Sequence, residues 1–277
     1  MLDFSRRSEL GLHAAVIGQV QAAAAVVGVR PLIVGAFARD LHLVYAHAIP
    51  VQRQTEDLDL ALAIPDWEAF EQIKASLLKS GNFAESKEAQ RLRHGAMPLD
   101  LVPFGRVEAA DGKIAWPPRG EVVMDVFGFR EAQAAALPVA LPNGVRTEVV
   151  SLAALALLKL VCWEDRHHRS PRKDASDLQL ILTHYLQAGN ERRLWDEFLP
   201  WTQDDDFDYL LAGARMLGHD IGTLLDVAGR GRVTQLLGAQ SGEEWPAALP
   251  REMDPFDPQR PRRLLAAMLQ GMKDRTE

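Results

Sequence analysis

Hydrophobic and polar positions alternate in several short segments of the first half of the chain, as they do in half-buried β-strands. This two-residue period, bounded by Gly, Pro and Asn turns, predicts strands at "PLIV", "DLDLALA", "RLRHG", "PLDLVPFG", "VVMDVFGF" and "GVRTEVVS". Apolar residues at helical spacing predict helices at about residues 9–27, 36–46 and 66–80 between these strands.

After Ser151 the pattern is helical only. Ser151 precedes the apolar run "LAALALLKLVCWEDR" and is its expected N-cap. Further helices are predicted at about residues 175–186, 191–199, 207–217, 221–227, 232–237 and 262–272. We therefore expect an α+β protein, with a mixed sheet in residues 1–150 and a helical domain, residues 151–277, packed on it.

Carboxylates interrupt two of the predicted strands. Asp57 and Asp59 stand two residues apart in "TEDLDLAL", so their side chains face one side of the strand, roughly 6–7 Å apart. Asp100 is the single acid of the apolar strand "MPLDLVPFG". An alternative interpretation of the D-L-D pair is two solvated residues at a strand edge, or a cap and a turn.

Three carboxylates at one end of a sheet repel one another unless cations lie between them. Mg²⁺, or Mn²⁺ in its place, prefers oxygen ligands of this kind. Two such ions bridged by aspartates can activate an attacking oxygen and stabilise a leaving pyrophosphate. Asp57, Asp59 and Asp100 are therefore candidate metal ligands.

The segment "LIVGAFARD" is a predicted strand followed by Gly35 and a helix. Glycine permits a tight turn and close backbone approach, and the N–H groups at the start of a helix can bind phosphate. The geometry is generic by itself. A phosphate-binding turn before a strand with paired carboxylates is more specific, because a nucleotide–metal complex requires both parts.

The second half contains a lysine in an apolar setting. Lys159 lies between leucines in its predicted helix, and a buried lysine needs a partner. Asp174 and Asp177, which share one face of the next helix, are the candidates. A structural salt bridge between two helices and a catalytic role both fit this pattern.

Composition and charge narrow the class of protein. The chain has 277 residues, 47% of them hydrophobic, and a net charge of −7, which argues against broad, non-specific binding of nucleic acid. Cys162 is the single cysteine, so no internal disulfide can form, as fits a reducing cytoplasm. No segment resembles a signal peptide or a membrane span, and we expect a cytoplasmic protein without a membrane partner.

These motifs, in this order, resemble the AbiEii/AbiGii-type bacterial nucleotidyltransferases, a toxin–antitoxin-associated branch of the superfamily with a DNA polymerase β-like palm. The resemblance covers roughly residues 30–190 and rests on the strand–glycine turn, the T-x-D-h-D-h motif, the lysine in "LLKLVCWEDR" and the element "RKDASDL". Ala36 departs from the second Gly or Ser that is usual in the turn, so a hydroxyl contact to phosphate is lost.

The resemblance implies roles for the matching residues. Catalytic residues would be Asp57, Asp59, Asp100, Lys159 and Asp174, of which the first three would bind metal. The nucleotide would be bound by Gly35, Ala36, Arg53 and Thr55. The implied function is Mg²⁺-dependent transfer of NMP from an NTP to an acceptor such as an RNA or tRNA 3′ end, with a cognate antitoxin as partner.

Two other functions fit the same residues. One is transfer of the nucleotide to a small molecule, as in antibiotic modification. The other is a module that binds a nucleotide or a partner protein without turnover, which the alanine at position 36 favours slightly.

Overall fold

The computed structural model describes residues 1–51, 57–170, 172–203, 206–242 and 247–274. The chain divides into two compact units, and nearly all of the second unit lies after Ser151. The first comprises Met1–Ala46 and Pro50–Ser151; the second comprises Leu152–Glu277 with the short segment His47–Ile49.

The first unit is built on a mixed sheet. Among the described residues its strands are β1 (Leu2–Asp3), β2 (Pro31–Val34), β3 (Leu58–Ile64), β4 (Ala84–Glu85), β5 (Arg91–His94), β6 (Met97–Gly105), β9 (Leu137–Ala140) and β10 (Arg146–Val149), in the order β1-β9-β10-β2-β3-β6-β5-β4. A separate hairpin pairs β7 (Lys113–Ala115) with β8 (Val123–Asp125). Strands β3 and β6 run parallel at the centre, and β2 and β5 flank them antiparallel.

The α-helices in the described part of this unit are α1 (Gly11–Ala25), α2 (Gly35–Asp40), α3 (Trp67–Lys79) and α4 (Phe129–Ala134). Helix α2 begins directly after β2 and continues as a π-helix over Leu41–Ala46. Helix α3 begins after Asp66, whose side chain accepts a hydrogen bond from the Ala69 amide at 2.8 Å. The cap fixes where the chain turns back after β3.

The second unit is helical throughout its described part. Its helices are α5 (Leu152–Arg166), α6 (Lys173–His184), α7 (Glu191–Glu197), α8 (Tyr209–Leu224), α9 (Val227–Ser241), α10 (Ala248–Met253) and α11 (Gln259–Lys273). Helices α5 and α6 pack on each other, and α8 packs along α11. The mixed sheet and the helical second half confirm the predicted α+β class.

Three local predictions were wrong. The helices predicted at about 207–217 and 221–227 are largely one helix, α8 (Tyr209–Leu224), because Gly218 lies against the Met268 carbonyl and permits close helix contact instead of ending the helix. "GRGR", which lies between the helices predicted at about 221–227 and 232–237, belongs to α9, since Asp226 caps that helix by accepting from the Gly229 amide. "VVMDVFGF" stops being a strand at Asp125 and turns into α4 through Gly128, whose φ is +89°.

Some elements were not predicted. The short strand β9 and the short helix α10 have no long periodic pattern, and β1, β4 and β7 are two or three residues each. Such elements depend on tertiary pairing more than on local pattern. In the described part of the chain, no helix combines the length and the apolar character that crossing a bilayer requires.

Candidate active site

Three acidic side chains of the first unit lie on one face of the sheet. Asp59 and Asp100 are direct partners in the parallel pair β3–β6, so their side chains point to the same side. Asp57 immediately precedes β3, two residues before Asp59, and the alternation of strand side chains, extended back by one residue, places it on that side. The alternating residues Leu58 and Leu60 are fully buried on the opposite face. We call Asp57, Asp59 and Asp100 the carboxylate row.

The glycine turn touches the carboxylate row. Val34 pairs with Asp59 across β2 and β3, which places Gly35 beside the Asp59 carboxylate. Gly35 has φ +68°, and a Cβ added there would overlap the Asp59 side chain. Only glycine therefore fits both the backbone conformation and the space. In the sequence, the glycine turn simply precedes the strand with the carboxylates. In the structure, the turn and this strand are in contact.

Arg91 completes the arrangement. It pairs with Asp100 across β5 and β6, and its Nε and Nη2 each donate a hydrogen bond to one Asp100 oxygen at 2.7 Å. The side chains of Arg91 and Asp100 are only 29% and 15% exposed. The hydrogen bonds to Asp100 raise the pKa of Arg91 above its ordinary value, and the negative charge of Asp57 acts in the same direction.

The arrangement fits a divalent ion through two carboxylates. Among the described residues, no group of three or more His, Cys, Asp or Glu side chains is placed to hold a metal ion. Mg²⁺, however, is commonly held by one or two carboxylates together with substrate phosphates and water. Asp57 and Asp59, beside a glycine turn, provide that donor set.

The second unit contains a buried ion cluster. The Lys159 ammonium lies 3.1 Å from an Asp174 oxygen and 2.6 Å from an Asp177 oxygen, so both of the predicted partners are used. Arg166 donates two hydrogen bonds to the Asp174 carboxylate, from Nε at 2.8 Å and from Nη2 at 3.0 Å. We call Lys159, Arg166, Asp174 and Asp177 the buried ion cluster.

The charges in this cluster stabilise one another. Burial by itself lowers the pKa of Lys159, but the Asp177 and Asp174 carboxylates outweigh it, and the pKa lies above its ordinary value. Burial by itself raises the pKa of Asp174, but Lys159 and Arg166 outweigh it, and the pKa lies below its ordinary value. Lys159 and Asp174 are therefore both charged at neutral pH.

Two residues of these arrangements, Arg91 and Arg166, were not predicted from the sequence. The loop between β5 and β6 is Gly95 and Ala96, so counting back from a two-residue hairpin pairs Arg91 with Asp100. That register was readable, but the loop lacks the usual Asn-Gly or Asp-Gly signal. Arg166 lies seven residues after Lys159, two turns along the same helix face.

The remaining residues that the sequence predicted for the site are Ala36, Arg53, Thr55, Lys159 and Asp174. Ala36 is buried at the start of α2, directly after Gly35. Arg53 and Thr55 lie outside the residues that the structure describes. Lys159 and Asp174 are placed together, and their assignment to the nucleotide stays a prediction.

A family model described as "Nucleotidyl transferase AbiEii toxin, Type IV TA system" matches residues 33–273. The matched region includes the glycine turn, the carboxylate row and the buried ion cluster. No curated protein matches the chain.

Two solved structures resemble the chain distantly. One is titled "Solution Structure of Antibiotic-Resistance Factor ANT(2'')-Ia Reveals Substrate-Regulated Conformation Dynamics"; it is 18% identical, with a TM-score of 0.39, over 69% of this chain and 94% of that one. The other, a crystal structure of ANT(2")-Ia in complex with adenylyl-2"-tobramycin, is 19% identical, with a TM-score of 0.37, over 66% and 98%. These likenesses are too distant to indicate what this chain acts on.

Proposed function

Because the chain belongs to the AbiEii nucleotidyl transferase toxin family, we propose that it transfers NMP from an NTP to an RNA 3′ end, with Mg²⁺ or Mn²⁺ as cofactor. The observation that carries the proposal is the contact between the Gly35 turn and Asp59 within the carboxylate row. This contact puts a backbone turn suited to phosphate beside carboxylates suited to a cation.

In this proposal Asp57 and Asp59 hold the divalent ion together with the triphosphate. The ion supplies charge neutralisation on the phosphates and lowers the pKa of the attacking hydroxyl. Gly35 and Ala36 offer backbone N–H groups to the phosphates, and Asp59 is held in place against Gly35. These residues thus position the triphosphate and neutralise its negative charge. Positioning and charge neutralisation make up most of the protein's contribution to phosphoryl transfer.

The acceptor and the biological role are part of the proposal. A cognate antitoxin as partner is supported by the match to a Type IV toxin–antitoxin family, and an RNA or tRNA 3′ end as acceptor stays a prediction of the resemblance. For the second unit, its own contacts support a structural role: the buried ion cluster fastens α5 to α6. A direct role of Lys159 and Asp174 on the nucleotide stays a prediction of the family resemblance.

The function is tested by following the two ends of the triphosphate. The purified protein is incubated with total cellular RNA, Mg²⁺ or Mn²⁺, and each NTP labelled either at the α-phosphate or at the γ-phosphate. We expect RNA to acquire the α-label from one or more nucleotides and never the γ-label, because pyrophosphate is the leaving group. Chelation of the metal should abolish labelling.

Other outcomes would change the conclusion. Transfer of the γ-label would establish a kinase and overturn the proposal. Release of pyrophosphate without label on RNA would show that the NMP group goes to water, to the protein itself or to a small molecule carried over with the RNA, and would overturn RNA as the acceptor. Nucleotide binding without release would leave a non-catalytic binding module.

Replacing Gly35 by alanine tests the contact that carries the proposal. The added methyl group overlaps the Asp59 side chain, so we expect transfer to fall by about 10²-fold, as when one positioning contact is lost. Gly28→Ala is the matched control, because Gly28 has φ +72° but no atom within 4 Å of an added Cβ. Both variants carry the backbone strain, of roughly 1 kcal/mol. Only Gly35→Ala should lose activity, and equal losses would refute the role of the contact.

A further inference from the structure

We propose that Arg91, locked onto Asp100, is a fixed cation that takes the place of a second metal ion, so that the site works with a single divalent ion. The inference rests on the proposed function and deepens it. In the two-metal form of this chemistry, carboxylates bridge two ions about 3.5–4 Å apart. Asp100 would be required for the second ion here, and the structure gives its two oxygens to a guanidinium.

The register of three strands carries the argument. Asp59, Asp100 and Arg91 are direct partners across β3, β6 and β5, so they form one row on one face of the sheet. Neighbouring strands lie about 4.8 Å apart, and the Arg91 head group therefore reaches Asp100 from the side away from Asp59. The sheet itself, and not a flexible loop, sets this pairing.

The arginine is a permanent charge. A guanidinium does not lose its proton in proteins, and its fork matches both oxygens of a carboxylate. The two bonds to Asp100 use Nε and Nη2, so Nη1 is not part of the fork. A second divalent ion would have to displace a geometrically matched, mostly shielded partner from Asp100.

The same residues explain a difference between the two ends of the row. Asp57 immediately precedes β3 and Asp59 lies in it, two residues later, and together with the phosphates they can hold one ion. At Asp100 the carboxylate charge is already balanced by Arg91. Asp100 is then a positioning residue for Arg91, and Arg91 supplies positive charge next to the ion.

The number of bound ions tests this inference without reference to activity. Mn²⁺ is titrated into the full-length protein with the α,β-methylene analogue of ATP, CTP, GTP or UTP in turn, and free Mn²⁺ is followed by electron paramagnetic resonance. We expect one tightly held Mn²⁺ per chain in the unmodified protein. Arg91→Gln removes the fixed charge and should admit a second ion, whereas Arg91→Lys keeps a charge and should not.

Arg93→Gln is the matched control. Arg93 lies two residues along the same strand, is exposed, and donates to the Ala96 carbonyl. Arg93→Gln should leave the stoichiometry at one Mn²⁺ per chain. Two ions in the unmodified protein would overturn the inference and leave the proposed function standing, and this test needs no variant to fold. One ion in both the unmodified protein and Arg91→Gln would also overturn it. No bound ion with any analogue would instead count against the proposed function.

Discussion

Asp59→Asn is expected to lower the rate of NMP transfer roughly 10³-fold, which corresponds to a loss of about 4 kcal/mol of transition-state stabilisation. The substitution keeps the size of the side chain and removes its charge, so the divalent ion loses one of the two carboxylates proposed to hold it. Asp59 also lies against Gly35, which makes it the member of the carboxylate row that joins the turn to the metal site. Initial rates with α-labelled NTP and RNA measure the loss.

Asp66→Asn is the matched control for this variant. Asp66 follows the other end of the same strand and caps α3 through the Ala69 amide, a role that asparagine also fills well. The same change of charge should therefore leave both the rate and the melting temperature nearly unchanged. If Asp59→Asn retained transfer within threefold of the unmodified protein, the proposed mechanism would be wrong.

Asp174→Asn is expected to destabilise the protein by about 3–5 kcal/mol, because removing one partner leaves buried charge uncompensated. The Asp174 side chain is 2% exposed and accepts hydrogen bonds from both Lys159 and Arg166. Asparagine can accept hydrogen bonds but cannot balance the charge of Arg166. The urea concentration at half-unfolding measures the change.

An exposed ion pair in the same unit provides the control. Arg192 and Asp196 lie 3.0 Å apart, with side chains 92% and 59% exposed. Asp196→Asn should cost less than about 0.5 kcal/mol, since water screens such pairs. An Asp174→Asn protein that is as stable as the unmodified one but inactive would contradict the structural role. It would assign Asp174 to the nucleotide instead.

Much of the site was predictable because strand alternation is a strong constraint. The two-residue period put Asp59 on one face of the strand and Leu58 and Leu60 on the other, and the structure pairs Asp59 with Asp100 and buries both leucines. The buried position of Lys159 required a carboxylate partner, and both candidates are used. In each case a local pattern left few physical solutions.

The pairing of Arg91 with Asp100 was not predicted, because it depends on the register of β5 against β6, and the Gly95-Ala96 loop lacks the usual hairpin signal that would have fixed that register. A single-residue shift of β5 would have turned Arg91 to the other face of the sheet. Helix α8 shows a second kind of limit. Gly218 resembles a helix end in sequence, and only the approach of the Met268 carbonyl explains a glycine within a continuous helix.

Pyrophosphate release tests the central claim most directly, because it requires both nucleotide binding and turnover. The unmodified protein and Asp59→Asn are incubated separately with each NTP, Mg²⁺ and total cellular RNA, and pyrophosphate is counted per molecule of protein. The account predicts several pyrophosphates per chain for the unmodified protein with at least one NTP, and close to none for Asp59→Asn. Equal release by both proteins, or release that persists without a divalent ion, would contradict it.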